Sequence, residues 1–174
     1  TNQAPRLFDK GDAGGELWVW LRLKLIADVG FVGFPNVGKS TLLSVLSNAK
    51  AKIANYPFTT LKPQLGVMRH NYKDVVLADL PGLIEGASDG VGLGLKFLAH
   101  VERCKVICHV CDVSQNLNDN YLTIRKELKK YDNVLKDKKE LILLSKCDTI
   151  EENKIEKFKT ELMKVTNSEI IPIS

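Results

Sequence analysis

Eight consecutive residues, Gly33-Phe34-Pro35-Asn36-Val37-Gly38-Lys39-Ser40, match the phosphate-binding template G-x-x-x-x-G-K-[ST] at every fixed position. Each fixed position answers a separate physical demand. Gly33 and Gly38 let the backbone bend closely around a polyphosphate, where a Cβ would block the approach. The backbone N–H groups then point inward as an anion nest. Lys39 has the reach for β- and γ-phosphates, and the Ser40 hydroxyl can sit on Mg²⁺. A helix starting at about Lys39 adds the positive end of its dipole. At average residue usage, chance places the four fixed positions together in fewer than about one in a hundred chains of this length.

The template needs a strand before it and a helix after it. Leu25–Val32 has a buried-strand composition, and Leu42, Val45, Leu46 and Ala49 recur at helical spacing. Two further stretches supply the rest of a nucleotide site. Asp79-Leu80-Pro81-Gly82 follows the apolar run Val75–Ala78. There a carboxylate at Asp79 can hold Mg²⁺ opposite Ser40, and the Gly82 N–H can meet a γ-phosphate. Ser145-Lys146-Cys147-Asp148 follows the apolar run Leu141–Leu144. It resembles the N-K-x-D base-recognition motif of GTPases, with Ser in place of Asn. A carboxylate at Asp148 can accept from guanine N1–H and its 2-amino group, donors that adenine lacks. The Lys146 stem can cover the base. The missing Asn amide removes one bond, either to the base or to the phosphate loop. The plainer alternative for Asp148 is a cap on the following helix.

These motifs sit on an alternation of strands and helices. Leu65–Arg69 and Asp74–Ala78 read as two strands joined by a turn at His70-Asn71-Tyr72. Lys105–Cys111, Leu141–Leu144 and Ile170–Ile173 read as further strands. Helices are expected at Leu95–Arg103, along the stripe Leu117, Tyr121, Ile124, Leu128, Tyr131 and Leu135, and through Ile155, Phe158, Leu162 and Val165. The pattern predicts an α/β fold of the P-loop NTPase class, a mostly parallel sheet of about six strands with helices on both faces. Ligands on such sheets bind at the carboxyl ends of the strands. From Leu17 onward, Leu17, Val19, Leu21, Leu23 and Leu25 alternate with Trp18, Trp20, Arg22 and Lys24, which predicts a half-buried strand. Asn55–Pro63 and Pro81–Gly94 are expected as loops.

Composition adds limits. With 174 residues, 44% hydrophobic and 26% charged, the chain suits one globular domain. A net charge of +4 permits an RNA-rich partner without requiring one. No apolar run reaches membrane-spanning length and no signal-peptide pattern opens the chain, and the expected location is the cytoplasm. A monomer is expected as well. Cys108 and Cys111 form a C-x-x-C, yet residues three apart on a strand point to opposite faces. Buried, reduced thiols are therefore expected rather than a metal or redox pair.

Taken together the motifs resemble the Obg family of GTPases, translation-factor-related proteins of large ribosomal subunit assembly. The matching residues are Gly33–Ser40, Asn55-Tyr56-Pro57-Phe58-Thr59-Thr60-Leu61, and Asp79–Ser88 with Gly90-Val91-Gly92-Leu93-Gly94. The resemblance implies that residues 1–22 are the tail of an N-terminal Obg-type domain and linker. It implies a Ras-like G domain over 23–174, cut short at Ser174, which would open the last guanine-contacting loop. It also implies that most ribosome contact lies in domains beyond this chain. Phe34, Pro35, Asn36, Val37, Thr41, Phe58, Thr59, Leu80 and Pro81 would line the nucleotide. Thr60, rather than Thr59, would be the switch-loop threonine on Mg²⁺, in a segment Pro57–Pro63 that orders around GTP. Lys39, Thr60, Gly82 and Asn36 would serve hydrolysis.

Leu83 stands where Ras-like enzymes place a water-orienting Gln, so intrinsic hydrolysis is expected to be slow, on the order of 10⁻⁴ to 10⁻² s⁻¹. Asn36 is a candidate to hold K⁺ near the phosphates, and its alternative is shaping the loop. The functional expectation is a Mg²⁺-dependent GTP/GDP switch. The rivals are a GDP- or alarmone-sensing module with negligible turnover and a P-loop ATPase or kinase.

Overall fold

The computed structural model describes residues 11–19, 27–48, 52–53, 63–80, 101–131 and 138–174. Its centre is β1 (Ala27–Val32), which pairs in parallel with β4 (Lys73–Asp79) on one side and β5 (Cys104–Asp112) on the other. Outward from β5 lie β6 (Glu140–Ser145) and β7 (Glu169–Pro172), again parallel. On the other flank β3 (Gln64–His70) runs antiparallel to β4, and the two-residue β2 (Lys52–Ile53) pairs along its edge. The order β2-β3-β4-β1-β5-β6-β7 is the expected mostly parallel sheet of six strands plus that short edge pairing. The β3–β4 turn falls on Asn71 and Tyr72, both at positive φ (49° and 59°). This two-residue geometry matches the twist of a hairpin.

Both faces of the central strands are covered, which is why β1, β5 and β6 are buried and mainly apolar over most of their length rather than alternating. Helix α1 (Lys39–Leu46) lays Leu43 against Phe31, Leu77, Cys108 and Leu143. Helix α2 (Leu117–Tyr131) covers the opposite face, with Ile124 and Leu128 among Val32, Ala78, Leu80 and Ile107. Helix α3 (Glu152–Met163) adds Leu162 beside Leu117, Tyr121, Ile142 and Leu144 on that same face. The α2 stripe is as expected through Leu128, while Leu135 lies outside the described residues. So do residues 95–100 of the helix expected before β5, although Val101 and Glu102 are helical.

Cys108 faces α1 and Cys111 faces α2, so the two thiols diverge as period-two geometry requires. Burial pushes the Cys108 thiol up to about 12, that of an inert core group. The alternation from Leu17 does not make a strand at its start. Leu17, Trp18 and Val19 are irregular and exposed, and residues 20–26 lie outside the described residues. Alternation suits a strand only where a neighbouring strand takes up its N–H and C=O groups. None of the described strands pairs with residues 17–19.

On the α2 face a buried polar group bridges strands and helix. His109 Nδ1 lies 3.3 Å from Glu140 Oε1, and Tyr121 stacks on the imidazole with ring centroids 5.1 Å apart. Tyr121 Oη and Ser168 Oγ donate to Glu140 Oε2, and Arg125 Nη1 stands 3.6 Å from it. Burial opposes a charged imidazole, yet the Cys111 sulfur and the Glu140 carboxylate raise the His109 pKa to about 9. A histidine raised in the folded state contributes stability that is complete below its unfolded pKa of about 6.5 and is lost as pH climbs through the folded value. Unfolding free energy is therefore expected to fall by roughly 1–3 kcal/mol between pH 6.5 and 9.5. Denaturant melts across that range check this, and Glu140→Gln should flatten the dependence.

Candidate functional site

Parallel pairing brings four strand ends to one edge of the sheet. Phe31 is level with Asp79, Val32 with His109, and Asp112 with Ser145. The carboxyl ends of β1, β4, β5 and β6 therefore meet there.

The loop after β1 closes on itself tightly. Gly33 sits at φ 154°, and a Cβ built on it would lie 2.4 Å from the Val110 carbonyl oxygen, a distance that excludes any side chain. Asn36 (φ 62°) and Gly38 (φ 101°) complete the turn, and Gly38 heads α1, its carbonyl accepting from Leu42 N at 2.9 Å. Val37 is buried, Phe34 is half-buried against both core faces, and Pro35 and Asn36 are exposed. Thr41 follows on the exposed side of α1.

Lys39 turns back into this loop. Its Nζ donates to Gly33 O at 3.0 Å and to Phe34 O at 2.8 Å, and the residue is only 7% exposed. Burial lowers the Lys39 pKa, with the Asp79 carboxylate pulling the other way. The Ser40 hydroxyl donates to Asp79 Oδ2 at 2.5 Å. Burial raises the Asp79 pKa against that bond and the Lys39 charge. Asp79 Oδ1 is buried with no hydrogen-bond partner among the described residues. A buried carboxylate oxygen left unsatisfied is costly. A hydroxyl and a carboxylate with a spare oxygen form an all-oxygen donor set that suits a hard divalent cation such as Mg²⁺. Leu80 turns its side chain into the core and its N–H donates to Phe31 O at 3.2 Å, so it contributes anchoring rather than a contact at the site.

The loop after β6 meets the first from the side. Ser145 Oγ donates to Val37 O at 2.7 Å, with Cys111 O a longer neighbour at 3.2 Å. Of the two bonds an Asn could have made, the Ser keeps the one to the phosphate loop. Lys146 holds φ 60°, and its carbonyl accepts from Thr149 N and Thr149 Oγ1 at 3.0 and 2.7 Å. Asp148 is exposed in the single turn Cys147–Thr149. The residue heading α3 is Glu151, so capping is not what Asp148 does. Ile173 donates to Leu144 O and accepts from Cys147 N, which sets the exposed Ser174 beside this loop.

Phe58, Thr59, Thr60, Pro81, Gly82 and Leu83 lie outside the described residues. One site residue was not singled out from the sequence. Asp112, at the end of β5, takes the Lys146 ammonium on Oδ2 at 2.5 Å and Ser114 N and Oγ on Oδ1 at 2.9 and 2.6 Å. The available signal was an Asp ending a strand with Ser two residues on, the pattern of an Asx turn.

Comparison with known proteins agrees with this geometry. A family model described as "50S ribosome-binding GTPase" matches residues 28–146. The chain is 53% identical over its full length to the GTPase Obg of Rickettsia massiliae, and covers 53% of that protein. Against that of Erythrobacter litoralis it is 49% identical over its full length, and covers 50%. The chain thus spans about half the length of the curated relatives it matches. Among solved structures, the G domain of the T. maritima FeoB iron transporter superposes with a TM-score of 0.62 at 24% identity, over 84% of this chain and 86% of that one. With fold, phosphate loop and full-length similarity in agreement, the chain belongs to the family of 50S ribosome-binding GTPases and is Obg-like along its whole length.

Proposed function

We propose that this chain is a guanine-nucleotide switch that binds GTP and GDP with Mg²⁺ and hydrolyses GTP slowly, within a longer protein acting in large ribosomal subunit assembly. The observation that carries the reading is the cluster of Lys39, Ser40 and the half-satisfied Asp79 at the carboxyl edge of the sheet. Lys39, resting on loop carbonyls, would swing to β- and γ-phosphate oxygens, stronger acceptors for an ammonium. Ser40, Asp79 and Thr60 would hold the Mg²⁺, whose charge neutralises that developing on the phosphates. The backbone from Gly33 to Thr41, with Phe58, Thr59 and Pro81 nearby, would enclose the nucleotide, and Gly82 would meet the γ-phosphate. Lys146, Asp148 and Ser174 would surround the guanine, while Ser145 braces the phosphate loop behind it. Asn36, exposed at its turn, would hold K⁺, whose charge would serve where an arginine finger is lacking.

Leu83 cannot orient water as a Gln would, which supports slow turnover and a role in which hydrolysis resets the switch. It equally favours the second reading, a GDP or alarmone sensor with negligible turnover. An Era structure with MgGDPNP and nucleotides 1506–1542 of 16S ribosomal RNA is 26% identical with a TM-score of 0.61, over 88% of this chain and 52% of that one. It supports a ribosomal partner for folds of this kind. No helix among the described residues is long and apolar enough to cross a membrane. The proposed setting is the cytoplasm, with the chain acting as a monomer.

The test is single-turnover hydrolysis of GTP by the full chain, in K⁺ and in Na⁺, with and without large ribosomal particles. Saturable GTP and GDP uptake in Mg²⁺ buffer is expected, with GTP binding lost by at least about tenfold in EDTA and a basal rate near 10⁻⁴ to 10⁻² s⁻¹. ATP should compete poorly. Absence of saturable uptake overturns the reading. Binding without turnover, even with particles, selects the sensor, and equal rates in K⁺ and Na⁺ remove Asn36 as a cation ligand.

A further inference from the structure

We propose that Asp112 is a positioning residue for guanine recognition, clamping the Lys146 ammonium so that the Lys146 stem stands as a fixed wall of the base site. The inference rests on the proposed function and concerns a residue to which that reading gives no part.

The clamp is built into the sheet. Asp112 ends β5 level with Ser145, the residue before Lys146, so the parallel register alone brings the carboxylate under the lysine. The Asp112 side chain has no exposed surface, and each of its oxygens is committed. Oδ1 accepts from Ser114 N and Oγ in a turn closed two residues away, and Oδ2 accepts from Lys146 Nζ. Burial works to raise the Asp112 pKa, yet Lys146 and Ser114 hold it below the usual carboxylate range, so the clamp is charged at neutral pH.

Lys146 is held at both ends. Its backbone keeps a left-handed φ of 60° while Thr149 grips its carbonyl, and Asp112 holds its tip. Between these anchors the four-carbon stem is restrained, with 41% of the side chain open to solvent beside Asp148. An unclamped lysine would have to give up much of its rotamer freedom each time a base arrived. A clamped stem presents apolar surface to the ring in advance, which improves affinity by preorganisation.

A simpler role, stapling β5 to β6, would affect folding but not distinguish ligands. The full chain, with GDP, GTP and Mg²⁺-pyrophosphate as probes, separates the two. Asp112→Asn is expected to weaken GDP and GTP by a similar, roughly tenfold factor, the scale of a lost charge-assisted hydrogen bond. Pyrophosphate, which carries no base, should bind as before. Lys146→Met keeps the stem and removes the charge, so in that background Asp112→Asn should cost less than about twofold more. If Asp112→Asn does not fold, Ser114→Ala loosens the clamp from the exposed side, with a smaller loss in the same direction and the same coupling to Lys146→Met. Unchanged guanine-nucleotide affinity, full additivity with Lys146→Met, or an equal loss of pyrophosphate binding each overturns the inference alone. Failure of the unaltered chain to take up guanine nucleotides overturns the proposed function, and this inference with it.

Discussion

Lys39→Ala is expected to abolish measurable GTP binding at micromolar nucleotide while leaving the fold intact. Lys39 is only 7% exposed and its ammonium rests on Gly33 O and Phe34 O, so it is already largely withdrawn from water and aimed into the loop that would receive phosphate. Truncating one member of a buried, hydrogen-bonded charge pair costs about 2–5 kcal/mol, or roughly 30- to several-thousand-fold in affinity. GTP should lose more than GDP, because the γ-phosphate adds negative charge within reach of the lysine. The ligand-free protein has less to lose. The Gly33 carbonyl, in a buried bond, and the Phe34 carbonyl, in a half-buried one, give up their shared donor, about 1–3 kcal/mol. Removing a charge that burial already disfavours offsets part of that. Titration calorimetry with both nucleotides, alongside thermal melts, reads the two effects separately. Unchanged GTP affinity would refute the site.

What could be read from the sequence was what local spacing determines. The strand–loop–helix around Gly33–Ser40 is one continuous piece of chain, so its chemistry and geometry are both written in a short window. Asp79 was legible for the same reason, as a carboxylate ending an apolar run. The divergence of Cys108 and Cys111 followed from the period of a strand. Arrangements set by register between distant strands were not legible. The bond from Ser145 to Val37 joins residues 108 apart, and only the β5–β6 pairing and the path of the phosphate loop decide that the hydroxyl braces the loop. Asp112 escaped notice because its partner stands 34 residues away, and in the sequence it is one acid among many. Leu17–Val19 failed in the opposite sense. The local pattern is sound, but a strand is a property of two segments, and no described strand pairs with this one. Thr60 and Gly82 rest on motif resemblance, since their segments lie outside the described residues.

Asp148→Asn carries the second large effect, and it should change which base is preferred rather than whether phosphates bind. Guanine presents N1–H and a 2-amino group, two donors that a carboxylate accepts together. Bonds to a charged group are worth about 1.5–3 kcal/mol each. An amide offers one acceptor and one donor, so one of the two bonds is lost and the donor faces the 2-amino group. GTP affinity is expected to drop about 10²- to 10³-fold. Xanthine carries N1–H beside a 2-oxo group, a pattern the amide matches, so xanthosine triphosphate should become the better ligand, and rejection of adenine should weaken. The backbone that places residue 148 does not depend on its side chain. Cys147 N is held by Ile173 O, and Thr149 by the Lys146 carbonyl. The side chain itself is exposed, so stability should stay within about 0.5 kcal/mol. Competition among guanosine, xanthosine and adenosine triphosphates for the full chain measures the outcome. Because Mg²⁺-pyrophosphate touches no base, its affinity should not move. A base preference left as it was would take Asp148 out of the site and leave a phosphate-binding loop whose nucleotide is set by some other residue.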